Sequence, residues 1–273
     1  MAQRQKKEHV PPPPDPAAKP LFSVVMPAYN EAATINEAVQ GLLGVMRGCG
    51  EPFEILIVDD GSRDETAKLA ESIAASQPSV RLLRHERNRG LGAALRTAIA
   101  AARGEYVVGS PVDSPLDGDQ LRLFHDTMEA TASYSYFPGK SACDVAVGFR
   151  AERAGYKWWM SVCSWVYRIM LRMAFWMWLR DFNWICMYRR RIFERVTIEC
   201  DGFAALPEIL VKAKRAGFAL RQVPCPMRAR KAGKGTVGRP RILFKATADF
   251  FRLWVRLTFG PSAEPAKEAR KEA

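Results

Sequence analysis

The apolar positions between residues 21 and 110 fall into short blocks separated by longer stretches with helical spacing. LFSVVM at 21–26 is an apolar, β-branched run that stops at Pro27, the pattern of a buried strand. A helical pattern runs from Ile35 to about Arg47, with Asn30 or Thr34 placed as its N-cap. Residues 53–58, FEILIV, predict a second strand that halts at Asp59-Asp60-Gly61-Ser62, where Ser62 or Asp64 can cap a helix over 65–76. Val80-Arg81-Leu82-Leu83 predicts a third strand, NRGLGAA opens a helix to about Ala102, and Tyr106-Val107-Val108 predicts a fourth strand. Strands alternating with helices at this spacing predict a parallel sheet with helices on both faces.

The polar clusters PAYNE, DDGS, NRGLG and PVDS all follow predicted strands. Ligands of open α/β sheets bind beyond the carboxyl ends of the strands. Any one cluster has an ordinary turn composition, but four in register mark a candidate site. Further on, DVAVGFR at 144–150 predicts a strand ending in Arg150, and a helix over 205–213 carries Glu208.

Forty-one Lys and Arg against 29 Asp and Glu give a net charge of +12, which calls for an anionic partner: nucleic acid, phospholipid or a phosphorylated metabolite. The six cysteines form no CxxC pair and read as reduced thiols of a cytosolic compartment. Residues 1–20 are charged and Pro-rich, the composition of a disordered tail rather than a signal peptide, and 261–273 form a second charged tail. Within the strand–helix repeats of the first hundred residues there is no GxGxxG and no P-loop motif, which disfavours a dinucleotide dehydrogenase or a P-loop enzyme. No nucleic-acid-binding motif accompanies the basic segments, so no nucleic-acid partner is expected.

VVMPAYNE at 24–31, IVDDGSRDET at 57–66 and NRGLGAA at 88–94 together resemble the family 2 glycosyltransferases, most closely the dolichyl- or polyprenyl-phosphate sugar synthases. The similarity runs from about Leu21 to Arg241. It implies a GT-A fold over 21–226, a GDP- or UDP-linked sugar donor, a lipid phosphate acceptor and inversion at the anomeric carbon. Carried over by motif, Pro27, Tyr29 and Glu31 would line the nucleotide pocket, Asp59 would contact the base, and Asp60 would sit near the ribose or support its loop. The plain alternative for Asp60 is a turn residue capping Ser62-Arg63. A carboxylate can accept hydrogen bonds from a ring N–H, and a tyrosine can cover a base.

The family's Asp-x-Asp falls on Pro111-Val112-Asp113, so one carboxylate is kept and a proline replaces the other; Pro115 stands where a glutamine is frequent. Asp117 and Asp119 are placed to cap a helix over 120–128. Mg²⁺ needs few protein ligands when substrate phosphates supply oxygens, so Mg²⁺ or Mn²⁺ on Asp113 is the expected cofactor. Two alternatives stay open: cations stabilise the leaving diphosphate without metal, or the catalytic site is lost. Between Lys212 and Arg256 there are thirteen Lys and Arg against the single acid Asp249. Within that stretch, MRARKAGKGTVGRPR at 227–241 resembles the family's Arg-x-x-Gly-x-Ser loop, with Arg230, Gly233 and Thr236 as equivalents and Lys234 beside them. The resemblance assigns Arg230 and Lys234 to catalysis with Asp113, and Arg150, Arg230 and Thr236 to the acceptor phosphate. Arginine grips phosphate oxygens bidentately. Arg180-Asp181 precedes a segment in which Asn183-Trp184-Ile185 replaces the usual small residues, which predicts an altered acceptor pocket. Glu208 is a candidate for a structural or acceptor role, or a helix-surface residue.

Residues 157–179 hold five tryptophans and are apolar almost all round, yet Arg168 and Arg172 lie near their centre at about 2.5–3.5 kcal/mol each in a bilayer. Their spacing marks one polar edge and predicts a helix, or a broken pair, lying in a membrane interface. Arg241, Lys245, Asp249, Arg252 and Arg256 recur beside a Phe/Trp face and predict a second interfacial helix within 227–260. The expected protein is peripheral, on the cytoplasmic face of a membrane, as a homo-oligomer or with a membrane partner subunit. Its rivals are a family 2 enzyme acting on a glycolipid or saccharide hydroxyl, with Glu208 as base, and a catalytically reduced nucleotide-sugar-binding protein, to which Pro111 points.

Overall fold

The computed structural model describes residues 18–130, 143–150, 158–225 and 240–259, with side chains from 245 in the last segment. The strands are β1 (Phe22–Ala28), β2 (Phe53–Asp59), β3 (Val80–Arg84), β4 (Tyr106–Gly109), β5 (Val145–Arg150), β6 (Cys186–Arg189) and β7 (Leu220–Cys225). They form one seven-stranded sheet in the order β3-β2-β1-β4-β6-β5-β7. β6 is antiparallel to both β4 and β5, and the other pairs are parallel. Two antiparallel steps in succession restore the strand direction. β5 and β7 therefore end at the same edge as β1, β2 and β4, and Arg150 and Cys225 share that edge with Asp59 and Gly109.

β1 and β2 are buried on both faces, and this is why they read as nearly unbroken apolar runs. Along β1, Phe22, Val24 and Met26 pack under helices α1 (Ile35–Cys49), α2 (Thr66–Ser76) and α4 (Gly118–Glu129). Val25 faces the opposite side, where α3 (Leu91–Ala101), α5 (Trp158–Phe175), α6 (Ala205–Arg215) and α7 (Pro240–Phe259) build a second core. The expected strands and helices of the first half lie within a few residues of their observed bounds. β7 was not expected: LRQVPC alternates polar and apolar at the sheet edge, where Pro224 loses no ladder bond of consequence.

The segment predicted as an interfacial helix over 157–179 is shorter. α5 ends at Phe175, and the chain turns back through Trp176 in a left-handed conformation (φ 51°). No helix among the described residues is long and apolar enough to cross a membrane. Arg168 and Arg172 serve this turn-back: Arg168 Nη1 donates to Arg180 O at 3.1 Å and Arg172 Nε to Leu179 O at 2.8 Å. α5 and α7 pack together through Phe250, whose ring meets Tyr167 and Phe175 edge-on.

α7 also departs from the expected uniform basic stripe. Asp249 and Arg256 turn toward the protein body with Phe250 and Leu253, leaving Lys245 and Arg252 outward beside Phe251, Val255 and Phe259. Helical spacing places residues on a common edge but does not say which neighbour takes each charge. Trp158, Trp165, Trp176 and Trp178 are exposed on and after α5.

At the opposite edge, Glu54 holds the sheet together. Its buried carboxylate accepts from Ser23 Oγ (2.7 Å), Arg103 N (2.7 Å), Arg81 Nη1 (2.8 Å) and Arg103 Nε (3.1 Å), tying β1, β3 and the approach to β4. Burial works to raise the carboxyl pKa, but the hydrogen bonds from Arg103, Ser23 and Arg81 outweigh it and hold the group below the usual carboxylate value. A depressed folded pKa contributes stability above the unfolded carboxyl pKa and loses it as pH falls through the folded value. Glu54→Ala is expected to lower unfolding free energy by about 2 kcal/mol or more in urea titration at pH 7. The gap to wild type should narrow in acid. A loss that did not change with pH would contradict this assignment.

Candidate active site

The site forms where four strand ends meet. After β1 the chain turns through Tyr29, exposed, and Asn30, left-handed at φ 55°. This turn is laced to the loop after β2: Asn30 N donates to Ser62 Oγ (3.0 Å), Arg63 N to Asn30 Oδ1 (2.9 Å) and Glu31 N to Thr66 Oγ1 (2.8 Å). Glu31 accepts from Thr34 Oγ1 at 2.8 Å, and Asp64 accepts from Thr66 N at 3.0 Å at the start of α2. Pro27 and Ala28 pair with Val58 and Asp59, so the residues assigned to the nucleotide pocket, Pro27, Tyr29, Glu31, Asp59 and Asp60, lie on two adjoining strand ends.

The turn cap that was the plain alternative for Asp60 falls to its neighbour. Asp59, not Asp60, closes the turn, accepting from Ser62 N at 3.1 Å through Oδ1. Its Oδ2 is buried without a hydrogen bond, with Arg84 Nε 3.5 Å away. Asp60 supports the NRGLG loop, accepting from Arg89 N (2.9 Å) and Gly90 N (2.8 Å) and pairing with His85 Nδ1 at 2.7 Å. His85 Nε2 in turn lies 2.9 Å from Thr97 Oγ1 of α3. Gly61, at φ +69°, must lack a side chain because a Cβ would lie 2.4 Å from the Arg87 backbone. Sequence reasoning missed Arg84 and His85, although a basic residue and a histidine together at the end of the strand beside Asp59-Asp60 were a usable signal.

At the end of β4, Ser110 is buried, donating its N–H to Val25 O (2.8 Å) and accepting Leu116 N on Oγ (3.1 Å). Pro111 O accepts Ser114 N at 3.3 Å, which closes a tight turn with Asp113 half-buried inside it. Asp117 caps α4 through a capping box with Gln120, and Asp119 stands in its first turn. Among the described residues no three His, Cys, Asp or Glu side chains gather as a metal site. Asp113 thus fits a divalent ion only as a single ligand whose other oxygens come from a bound diphosphate.

On the far side of β4, Arg150 is gripped by Asp181 (Nε–Oδ2 2.7 Å, Nη2–Oδ1 3.1 Å) and lies 5.0 Å from the centre of the Trp184 ring. Asp181 Oδ1 also accepts Phe182 N and Asn183 N. Arg150 therefore presents a positioned guanidinium at the site edge, with the Trp184 ring beside it. Glu208 is not a surface residue. It is fully buried and bonded to the chain at 199–200 and to α7, which leaves it no access to an acceptor hydroxyl. Arg230, Gly233, Lys234 and Thr236 lie outside the described residues.

The profile described as "Glycosyl transferase family 2" matches residues 23–197, well over half of the chain and all of the strand ends described above. The chain belongs to glycosyl transferase family 2. This family 2 chain is 30% identical over 258 residues to Glycosyltransferase AglD of Haloferax volcanii, covering 90% of the chain and 39% of that protein. It is 33% identical over 114 residues to a dolichyl-phosphate beta-glucosyltransferase of Dictyostelium discoideum (39% of the chain, 35% of that protein). A third relative, 32% identical over 139 residues, is an undecaprenyl-phosphate 4-deoxy-4-formamido-L-arabinose transferase of Pseudomonas aeruginosa (50% and 38%). The chain spans about two fifths or less of the length of these relatives.

Among solved structures, glucosyl-3-phosphoglycerate synthase from Mycobacterium tuberculosis, in complex with Mn²⁺, UDP and glucosyl-3-phosphoglycerate, superposes with a TM-score of 0.64 at 18% identity, over 87% of this chain and 81% of that one. The expected GT-A fold, a mostly parallel mixed sheet flanked by helices, is thereby shown.

Asp60→Ala in the family 2 chain is expected to release the Arg89 and Gly90 amides and cost about 3 kcal/mol or more in urea unfolding, since three donors lose a charged acceptor. A change within about 0.5 kcal/mol would mean that the loop holds itself without Asp60.

Proposed function

We propose that the chain is a peripheral, inverting glycosyltransferase that moves a sugar from a GDP- or UDP-linked donor to a polyprenyl or dolichyl phosphate. The observation that carries the donor half is Asp59 Oδ2, a buried acceptor without a hydrogen bond at the strand-end edge of a family 2 fold. Orphaned buried acceptors are rare and mark functional sites, and a base ring N–H is a donor that fits this one. Arg84 is largely exposed and can swing off Oδ2 to admit the base, while Tyr29 covers it. The acceptor half is supported by the relatives named for dolichyl- and undecaprenyl-phosphate sugar transfer and by the positioned Arg150.

In this reading an oxygen of the acceptor phosphate forms a bond to the anomeric carbon of the donor sugar from the face opposite the leaving diphosphate. The bond from that carbon to the diphosphate oxygen breaks, and the nucleoside diphosphate leaves with the electron pair. The phosphate oxygen is already anionic at pH 7, so no strong general base is required. Asp113 would hold Mg²⁺ or Mn²⁺ together with diphosphate oxygens, and such an ion supplies charge neutralisation to the leaving group. Arg230 and Lys234 would add cationic support there, and Arg150, Arg230 and Thr236 would orient the acceptor phosphate. The hydroxyl-acceptor reading is weakened because its base, Glu208, is buried and fully engaged.

Incubation with a panel of nucleotide sugars and a polyprenyl phosphate, with and without EDTA, is expected to give a glycosyl phospholipid from one donor, lost in chelator. No product from any donor, with nucleotide still bound, would favour a binding protein. Full turnover in EDTA would remove the metal. In calorimetry, Asp59→Ala should weaken nucleotide binding by about 1–3 kcal/mol.

We further propose attachment to the cytoplasmic face of a membrane, through the exposed tryptophans of α5 and the outward Phe251, Val255 and Phe259 of α7 with Lys245 and Arg252 among them. Binding to liposomes in flotation should rise with anionic lipid and fall with salt, since exposed charges are screened over roughly 8–10 Å. A protein that stays at the bottom of the gradient with every lipid mixture would assign these faces to a subunit interface.

A further inference from the structure

Glu208 has no place in the donor pocket or at the acceptor edge, yet it is a fully buried carboxylate with four donors. Oε2 accepts Glu199 N (3.0 Å) and Cys200 N (2.8 Å), while Oε1 meets Lys212 Nζ (2.8 Å) and Arg256 Nη2 (2.9 Å). Desolvating such a group is costly unless its geometry is used. What these bonds hold is a strap, residues 199–202, running between α7 and the loop before α3.

The strap is clamped on both sides at backbone contact. On the loop side Gly92 N donates to Asp201 O at 2.8 Å, and a Cβ on Gly92 would lie 1.8 Å from Cys200 O. Gly90 fits equally closely, with its would-be Cβ 2.4 Å from Asp201 O. On the helix side, a Cβ on Gly202 would lie 2.0 Å from Asp249 Oδ2 of α7. Arg256 Nη2 reaches Cys200 Sγ at 3.0 Å as well as Glu208. From Gly90 the path continues through its N–H to Asp60, next to Asp59.

We propose that Glu208 is a positioning residue for the donor pocket: it fixes the 199–202 strap between α7 and Gly90–Gly92, so that the seating of α7 sets the geometry of the loop that Asp60 holds. This rests on the reading of the Asp59-Asp60 turn as the nucleotide pocket. The coupling is reciprocal, so nucleotide in the pocket also steadies α7, whose outer face carries Phe251, Val255 and Phe259. No part of the path is long, and at Gly90 and Gly92 the strap carbonyls leave no room for an added side chain.

A chain of contacts becomes a coupling only when perturbing one end moves the other. Glu208→Ala leaves two cations facing a buried hole, so Arg256→Ala, at a half-buried position, is the working variant, with Glu208→Gln and Arg256→Lys beside it. Amide hydrogen exchange of the full chain is read at Gly90 and Gly92, with Leu42 and Leu43 of α1 as the control in the opposite core. Arg256→Ala removes the contacts to Glu208 and Cys200 and the Arg256 Nη1–Glu199 Oε2 ion pair (3.1 Å), so it should speed exchange at the two glycines at least about tenfold and leave the controls unchanged. Affinity for UDP or GDP should fall several-fold in parallel, and Arg256→Lys should restore both.

Unchanged exchange at Gly90 and Gly92 in folded Arg256→Ala and Glu208→Gln proteins would overturn the proposal. So would faster exchange with unaltered affinity, provided Asp59→Ala has lost binding in the same assay. A wild type that binds neither nucleotide would instead overturn the pocket reading beneath it.

Discussion

Two adjacent carboxylates at the end of β2 face different problems, and the geometry of the strand-end edge depends on how they divide them. Asp60 collects the amides of Arg89 and Gly90 and the ring of His85, converting a glycine-rich stretch with little intrinsic order into a fixed loop. Asp59 spends one oxygen on the turn at Ser62 and keeps the other free of hydrogen bonds. The alternation of side chains along a strand turns consecutive residues to opposite faces, which is how one carboxylate can be structural and its neighbour available. Ser62 and Arg63 carry the order on to Asn30, so the loops after β1, β2 and β3 form one hydrogen-bonded unit.

How much of this was legible follows from the range of each interaction. β1, β2 and β4 were readable because burial on both faces leaves nearly unbroken apolar runs ending at Pro, Asp or Gly. The cap at Asp117 was readable because its partner is three residues away. The partners of Asp60 lie 25 to 30 residues distant, Arg150 meets Asp181 across 31, and Arg256 meets Glu208 across 48. No local pattern encodes such pairings. Glu208 misled for this reason: on a helix with Lys212 four residues on, a surface ion pair is the natural reading, and only the arrival of α7 and the strap makes it interior.

The same limit explains the aromatic helices. Spacing identified the amphipathic character of α5 and α7 but assigned all the cations to a membrane. Arg168 and Arg172 are in fact spent on the carbonyls of the returning chain, and Arg256 on Glu208. What remains outward is a sparser and more apolar surface, with Lys245 and Arg252 as its cations among the described side chains of α7. On a membrane, a surface of that kind would rely more on tryptophan at the headgroup level than on charge.

The central claim is that Asp59 Oδ2, the oxygen that carries no hydrogen bond, reads a nucleotide base. A crystal structure of the chain with UDP or GDP tests it most directly. The account predicts a ring N–H within hydrogen-bond distance of Asp59 Oδ2, Arg84 displaced from its present 3.5 Å approach, and the diphosphate lying toward Asp113. A nucleotide bound elsewhere, with Arg84 still resting against Asp59, would contradict it.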